Sequence, residues 1–466
     1  MIHQPGMPPF TRRDALKRFA TGFGMAGFAA TAGQPLLGAE VATGNPWMPR
    51  PPHFPGKAKH VIVVFLQGGL SQIDSFDYKP MLQKYDGKPL PYETPRTEFA
   101  TGNLMKSPFS FKKYGQNGIE VSELFPHTAK VIDEFCIVRS MISDIPNHGP
   151  SVLMMNTGSV RAGRPSMGSW VVYGLGTENQ NLPGFIVLSA GGGGGGFSSA
   201  FLPAVYQGTM VPYNIADPNR QIQYLANTRQ NLTQQRGQLD LLRDLNQSYV
   251  DKLNGAPELE ATIQSMEVAF RMQTEAPEVF DTRKESQATL AKYGEGGIAQ
   301  GCITARRLVE KGVRFVQVVH AGWDHHADIM GHKHTARDVD QPIAALVQDL
   351  KERGLLDETL VIVASEFGRT PVINLGGFRS VHNGRDHNIY GFTVLMAGGG
   401  VKRSTVYGAT DDFGFKVAQN PVHVHDLHAT ALHTLGLDHE KLTYRYAGRN
   451  FRLTDVEGTV VRDILA

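Results

Sequence analysis

Cysteine is nearly absent: Cys136 and Cys302 stand 166 positions apart and outside any C-x-x-C, which excludes a disulfide framework and a zinc ribbon. Two buried free thiols are the plain expectation, and one bridge stays open if the chain reaches an oxidising compartment. A charge of one sign is lacking too. There are 46 Lys and Arg against 44 Asp and Glu, and the first 39 residues hold four of the bases and one acid. The remainder is therefore close to neutral and carries no nucleic-acid footprint. No repeat of fixed period occurs, and no G-x-S-x-G follows a strand-like run, which argues against a Ser-His-Asp esterase. The long charge-free run 179–216 is broken by Pro183, six glycines at 191–196, Pro203 and Pro212, so it is not a membrane span. Its glycines lack the G-x-x-x-x-G-K-[ST] pattern and read as a bare loop or flap.

What is present is an ordinary globular composition, 41% hydrophobic and 19% charged, which excludes disordered, collagen-like and coiled-coil classes. Length alone allows two or three domains, or one large sheet carrying insertions. The N-terminal segment 1–39 is an address. Arg12 and Arg13 precede an uncharged stretch at 19–39 that contains five glycines and Pro35. This resembles a twin-arginine export signal, with the twin-arginine translocase as partner and a periplasmic or extracellular destination. The stretch is too weakly hydrophobic for a stable membrane span. Residues 40–57 read as a linker and 58–466 as the body.

Apolar, β-branched runs recur at 60–66, 135–138, 185–188, 314–319, 360–364 and 392–397. They read as buried parallel strands. Helical stretches lie between several of them, such as 338–351 with Ile343, Leu346, Val347 and Leu350 on one face. The expected fold is α/β: a doubly wound, mainly parallel sheet sandwiched by helices. Residues 217–301 lose all strand signal, and Leu242, Leu245, Tyr249 and Leu253 recur at helical spacing. They read as a helical insertion whose apolar stripe packs on the sheet domain.

Polar clusters follow the later strands: His320 with W-D-H-H-A-D at 323–328, S-E-F-G-R-T-P at 365–371, and G-R-D-H-N at 384–388. In a doubly wound sheet such positions gather at its carboxyl edge. Imidazoles and carboxylates together suit a borderline divalent cation, zinc first, with manganese, calcium or iron as alternatives. Asp324 and His326 are two apart, so extended backbone aims both to one side and His325 to the other. The four histidines at 423, 425, 428 and 433 fall on a stretch patterned like a packed helix and read as structural or surface groups.

Five ordered motifs carry a resemblance: Q-G-G-L-S-Q-I-D-S-F-D-Y-K-P at 67–80, G-W-D-H-H at 322–326, S-E-F-G-R-T-P at 365–371, G-R-D-H-N at 384–388 and H-D-L-H-A-T-A-L-H-T-L-G-L-D-H at 425–439. They resemble the bacterial family called domain of unknown function 1501, which is similar to sulfatases and belongs with the alkaline phosphatase superfamily. Sulfatases show S-D-H-G after a strand. Here S-E-F-G implies that Glu366 keeps a carboxylate ligand while Phe367 removes an imidazole. The first strand lacks the expected metal-binding Asp and leaves Asp74 and Asp77 as displaced candidates. The stretch 148–158 is similar to the sulfatase nucleophile motif, with His148 in the nucleophile's place as a metal ligand, a phosphohistidine-type nucleophile or a relic.

The resemblance implies one surviving metal site of Asp324, His326, Glu366 and His387, with His148 as the catalytic group facing the reactants. Asp386 and His325 are secondary candidates, and Arg369 and Arg385 could clamp an anionic group. Asp144, Asn147 and Arg139 could line the loop before His148. Two readings follow. One is an exported metal-dependent hydrolase of phosphate or sulfate esters, small-molecule or glycan. The other is a non-catalytic exported protein that binds metal or glycan on the same fold, because fold does not certify activity.

Overall fold

The computed structural model describes residues 47–191, 196–213, 230–252, 257–376 and 383–466. The twin-arginine segment, most of the glycine run and the start of the helical insertion lie outside the described residues. A nine-stranded sheet forms the centre, built from β1 (His60–Gln67), β2 (Phe135–Ile142), β3 (Phe185–Ser189), β4 (Thr209–Pro212), β5 (Phe315–Ala321), β6 (Thr359–Ala364), β7 (Phe392–Ala397), β8 (Thr405–Tyr407) and β9 (Val422–His423). Its order is β8-β2-β7-β6-β1-β5-β3-β4, with β9 also pairing with β2. All six apolar runs are strands of this sheet. The mixed α/β expectation therefore holds, with one correction. β7 runs antiparallel to both β2 and β6, whereas β1, β5, β6, β3 and β4 pair in parallel.

The centre is dry. Val61, Ile62 and Val64 of β1 are fully buried, as are all six residues of β6, and burying each such aliphatic side chain contributes about 1.5–3 kcal/mol. Helices flank the sheet: α1 (His148–Thr157), α2 (Met167–Leu175), α3 (Leu232–Lys252), α4 (Pro257–Phe280), α5 (Gly297–Glu310), α6 (His332–Glu352) and α7 (Val424–Thr434). α5 packs on β5 and on α6, and Ile343, Leu346, Val347 and Leu350 of α6 are buried as their spacing predicts. α3 packs on α4, and of the expected stripe Leu245 is exposed, while Leu253 and the side chain of Tyr249 lie outside what is described. Cys136 and Cys302 are free and buried, and burial pushes both thiols up to about 12.

Strand direction decides what reaches the rim. β1, β2, β5 and β6 all end at one edge, so the segments after them meet there. Because β7 is reversed, the segment before it, Arg385–Asn388, arrives at that same edge. Arg385–Asn388 pairs with Gly368–Asn374, which pairs with Thr101–Leu104, in a small antiparallel sheet.

Candidate metal centre

Four donor groups from three segments converge at the rim. His148 opens α1, Asp324 and His326 follow β5, and His387 precedes β7; their nearest ligand atoms all lie within 4.8 Å of one another. Asp324 Oδ1 is the hub. His326 Nε2 lies 2.9 Å from it, His148 Nε2 3.2 Å and His387 Nε2 3.3 Å, and His326 Nε2 is 2.8 Å from His387 Nε2. Asp324 is the open side, with 45% of its side chain exposed, while His387 is buried. His148 Nε2 is buried without a well-directed hydrogen bond.

Each outer nitrogen has its own partner. His148 Nδ1 is 2.7 Å from Glu366 Oε1. His387 Nδ1 is 2.5 Å from the Pro146 carbonyl oxygen and 2.6 Å from Glu98 Oε2. Acceptors at Nδ1 place the proton there, which turns the Nε2 lone pair of neutral His387, and that of His148 once its second proton has left, toward the carboxylate hub. Lone pairs facing an anionic oxygen repel unless a proton or a cation stands between them. The donor set therefore fits a divalent cation, with outer partners of the kind that fix ligand histidines.

Electrostatics follow from the same contacts. Burial disfavours the Asp324 carboxylate, but His148, His326 and His387 packed against it and the Arg369 charge hold its pKa well below the usual carboxylate range. Burial also disfavours protonated His148, yet its bonds to Asp324 and Glu366 prevail and raise it to about 9. His387 goes the other way. Burial lowers it to about 3, against the pull of Asp324 and with the help of Arg369. Phe367 supplies no ligand and becomes a wall, its ring centroid 4.2 Å from that of His387 and 5.0 Å from that of His148.

The match of a family model to residues 58–465 decides the lineage: its description is protein of unknown function, DUF1501. The chain belongs to the DUF1501 family. No curated protein matches it. Among solved structures, the DUF1501 chain is similar to the PsFucS1 sulfatase from Pseudoalteromonas sp., at 13% identity over 88% of this chain and 72% of that one, with a TM-score of 0.39. It is also similar to the phosphonate monoester hydrolase SpPMH from Silicibacter pomeroyi, at 11% identity, 88% and 76% coverage, and a TM-score of 0.36. A protein in the alkaline phosphatase superfamily from Vibrio parahaemolyticus follows at 10% identity, 90% and 78% coverage, and a TM-score of 0.35.

Several expected site residues of the DUF1501 chain have other employment. Glu366 is not at the hub: its oxygens accept from the Gly68 N–H at 2.9 and 3.1 Å and from Ser365 Oγ at 3.1 Å, and Oε1 faces His148. It holds His148 from outside the cluster. Arg369 is fully buried, bonded to the carbonyl oxygens of Gly68, Gly69, Trp323 and Arg385 and, at 2.7 Å, to Asp324 Oδ1. It braces Asp324 and has no free face for a substrate anion. Arg385 and Asp74 form a fully buried ion pair at 2.7 Å, so the one is no clamp and the other no ligand. His325 turns away to His332, Nδ1 to Nδ1 at 2.7 Å, and burial lowers its pKa to about 4. Asp386, buried, accepts from the Phe99 and His387 N–H groups and forms a second acidic grouping with Glu98 and His387. Gly68 and Gly69 permit this crowding. Both have positive φ, and a Cβ would fall 2.7 Å from the Asp324 backbone at Gly68 and 2.9 Å from Arg369 Nε at Gly69. Sequence reasoning missed Glu98 and Asn374, which face His387 and His326 from segments without a motif.

Proposed function

We propose that this protein is an exported metal-dependent hydrolase of phosphate or sulfate esters, holding one divalent ion, zinc by preference, within the cluster of His148, Asp324, His326 and His387. The observation that carries the reading is the turn of the Nε2 atoms of His148 and His387 toward one braced carboxylate. A bound ion would supply Lewis acidity and lower the pKa of a water molecule it holds. The chain's own contribution is positional. Glu366 and the Pro146 carbonyl orient His148 and His387, Arg369 braces Asp324, and Phe367 walls off the two imidazoles. On this reading His148 is a ligand and not a nucleophile.

Elemental analysis of the exported protein, followed by a screen of aryl sulfates, phosphate monoesters and phosphodiesters with the metal found, tests the proposal. One equivalent of metal and turnover that vanishes in Asp324→Ala and His387→Ala would sustain it; metal-replete protein with no turnover would sink the enzymatic part. The second reading, a non-catalytic metal- or glycan-binding protein, is favoured by one observation: Arg369 and Arg385 are both consumed by internal bonds. Export rests on Arg12 and Arg13. Among the described residues no helix is long and apolar enough to cross a membrane. Retention of an Arg12→Lys, Arg13→Lys variant in the cytoplasm is the outcome expected of the twin-arginine route.

A further inference from the structure

The three imidazoles of the cluster are not equivalent, and Asn374 is the reason. Asn374 is buried at the end of Gly368–Asn374. Its Oδ1 accepts from the Gly376 N–H at 3.2 Å, and its Nδ2 faces the carbonyl oxygens of Gly376 at 3.1 Å and His326 at 3.4 Å. Turning the amide over would set Oδ1 against two carbonyl oxygens and Nδ2 against an N–H, so the backbone fixes its orientation. In that orientation Nδ2 also points at His326 Nδ1, 3.2 Å away, and that nitrogen is an acceptor. The other group near it, Asp386 Oδ1, stands 3.7 Å off, beyond hydrogen-bond reach. A neutral imidazole has one proton, and in His326 it sits on Nε2.

His387 has the opposite tautomer, with its proton on Nδ1 facing the Pro146 carbonyl oxygen, and His148, once its second proton is displaced, likewise keeps the one on Nδ1 facing Glu366. Of the four converging groups, then, His148 Nε2, His387 Nε2 and Asp324 Oδ1 offer lone pairs, while His326 Nε2 offers a proton toward Asp324 and His387. We propose that His148, His387 and Asp324 are the ligands and that His326 stands beside them as a hydrogen-bond donor whose tautomer Asn374 sets. This rests on the metal reading above. Three protein ligands leave one position of a four-coordinate ion open, and the Nε2–H of His326 holds the ligand oxygen of Asp324 beside that position.

Long-range nitrogen–proton NMR of the metal-free full-length protein near neutral pH, with His326 and His387 assigned by His→Gln variants, reads the tautomers directly. An Nε2–H form for His326 and an Nδ1–H form for His387 are expected; an Nδ1–H form for His326 overturns the proposal. Asn374→Asp offers an acceptor at Nδ1 and moves the His326 proton there, and an unchanged tautomer removes Asn374 from the account. Cobalt titration completes the test. His326→Gln should weaken uptake by less than about tenfold and His387→Gln by at least about 100-fold; equal losses make His326 a ligand and refute the division of roles. If the wild-type protein takes up neither cobalt nor zinc, the metal reading falls and the ligand assignment with it, whereas the hold of Asn374 on the tautomer still stands or falls on the spectra.

Discussion

A metal ion held at Asp324 Oδ1 would compete with a proton for the same space, and the competition has a sign. Without metal, His148 keeps its proton up to pH about 9, because Asp324 and Glu366 both stabilise the cation. Zinc must displace that proton, so affinity should rise about tenfold per pH unit toward pH 9 and level off above it. His387, lowered to about 3, adds no slope in that range. Competition with a chromophoric chelator between pH about 7 and 9 measures this, and a flat profile would take His148 out of the centre. Glu366→Gln tests the orienting carboxylate: about 10–100-fold weaker metal binding is expected, and metal-free stability at pH 7 should fall by about 1–3 kcal/mol because protonated His148 loses its charged partner. That imidazoles and carboxylates after the strands gather at one edge of the sheet was legible in W-D-H-H and R-D-H-N. What could not be read was which groups face inward. Glu366 and Arg369 sit in one motif, yet each is drawn to a partner about 300 positions away, Gly68 or Gly69, and no local pattern encodes such a contact.

Elements hold the site through their ends. α1 presents His148 at its first position, and the carbonyl groups of its last turn need partners. His428 of α7 lies 2.9 Å from the Met155 carbonyl oxygen and His425 lies 2.8 Å from that of Gly158, each through Nε2. The sequence pattern of α7 places these histidines on a packed helix, but not against the end of α1. Burial lowers His428 to about 3, so folded protein keeps it neutral while the unfolded chain takes up a proton below pH about 6.5. The contribution is complete above that pH and is lost as pH falls toward 3, at up to about 1.4 kcal/mol per pH unit. His428→Gln should cost about 1 kcal/mol at pH 7 through the weakened bond and should show a shallower loss of stability in acid. Urea titrations at several pH values compare the two; parallel curves would mean that His428 does not titrate with folding.

For the whole molecule, buried strands are visible because both faces of the sheet are covered and each strand reads as an unbroken apolar run. Direction is invisible for the same reason: β7 is as apolar as β6, and nothing in its residues tells parallel from antiparallel. The edge strands β4, β8 and β9 are too short to rise above loop composition. Yet the reversal of β7 is what delivers His387 to the rim where β2, β5 and β6 release His148, Asp324 and the Glu366 segment. The centre is thereby stitched from segments spanning most of the body, and the unfolded chain cannot assemble it. Metal binding must then appear as folding stability. At a free zinc concentration about 100 times Kd, the gain is about 2.7 kcal/mol, read as an upward shift of the urea midpoint that a chelator reverses. Asp324→Asn, which removes the charge of the hub while leaving the sheet intact, should abolish the shift. A zinc-dependent midpoint that persists in that variant would place the ion elsewhere in the molecule.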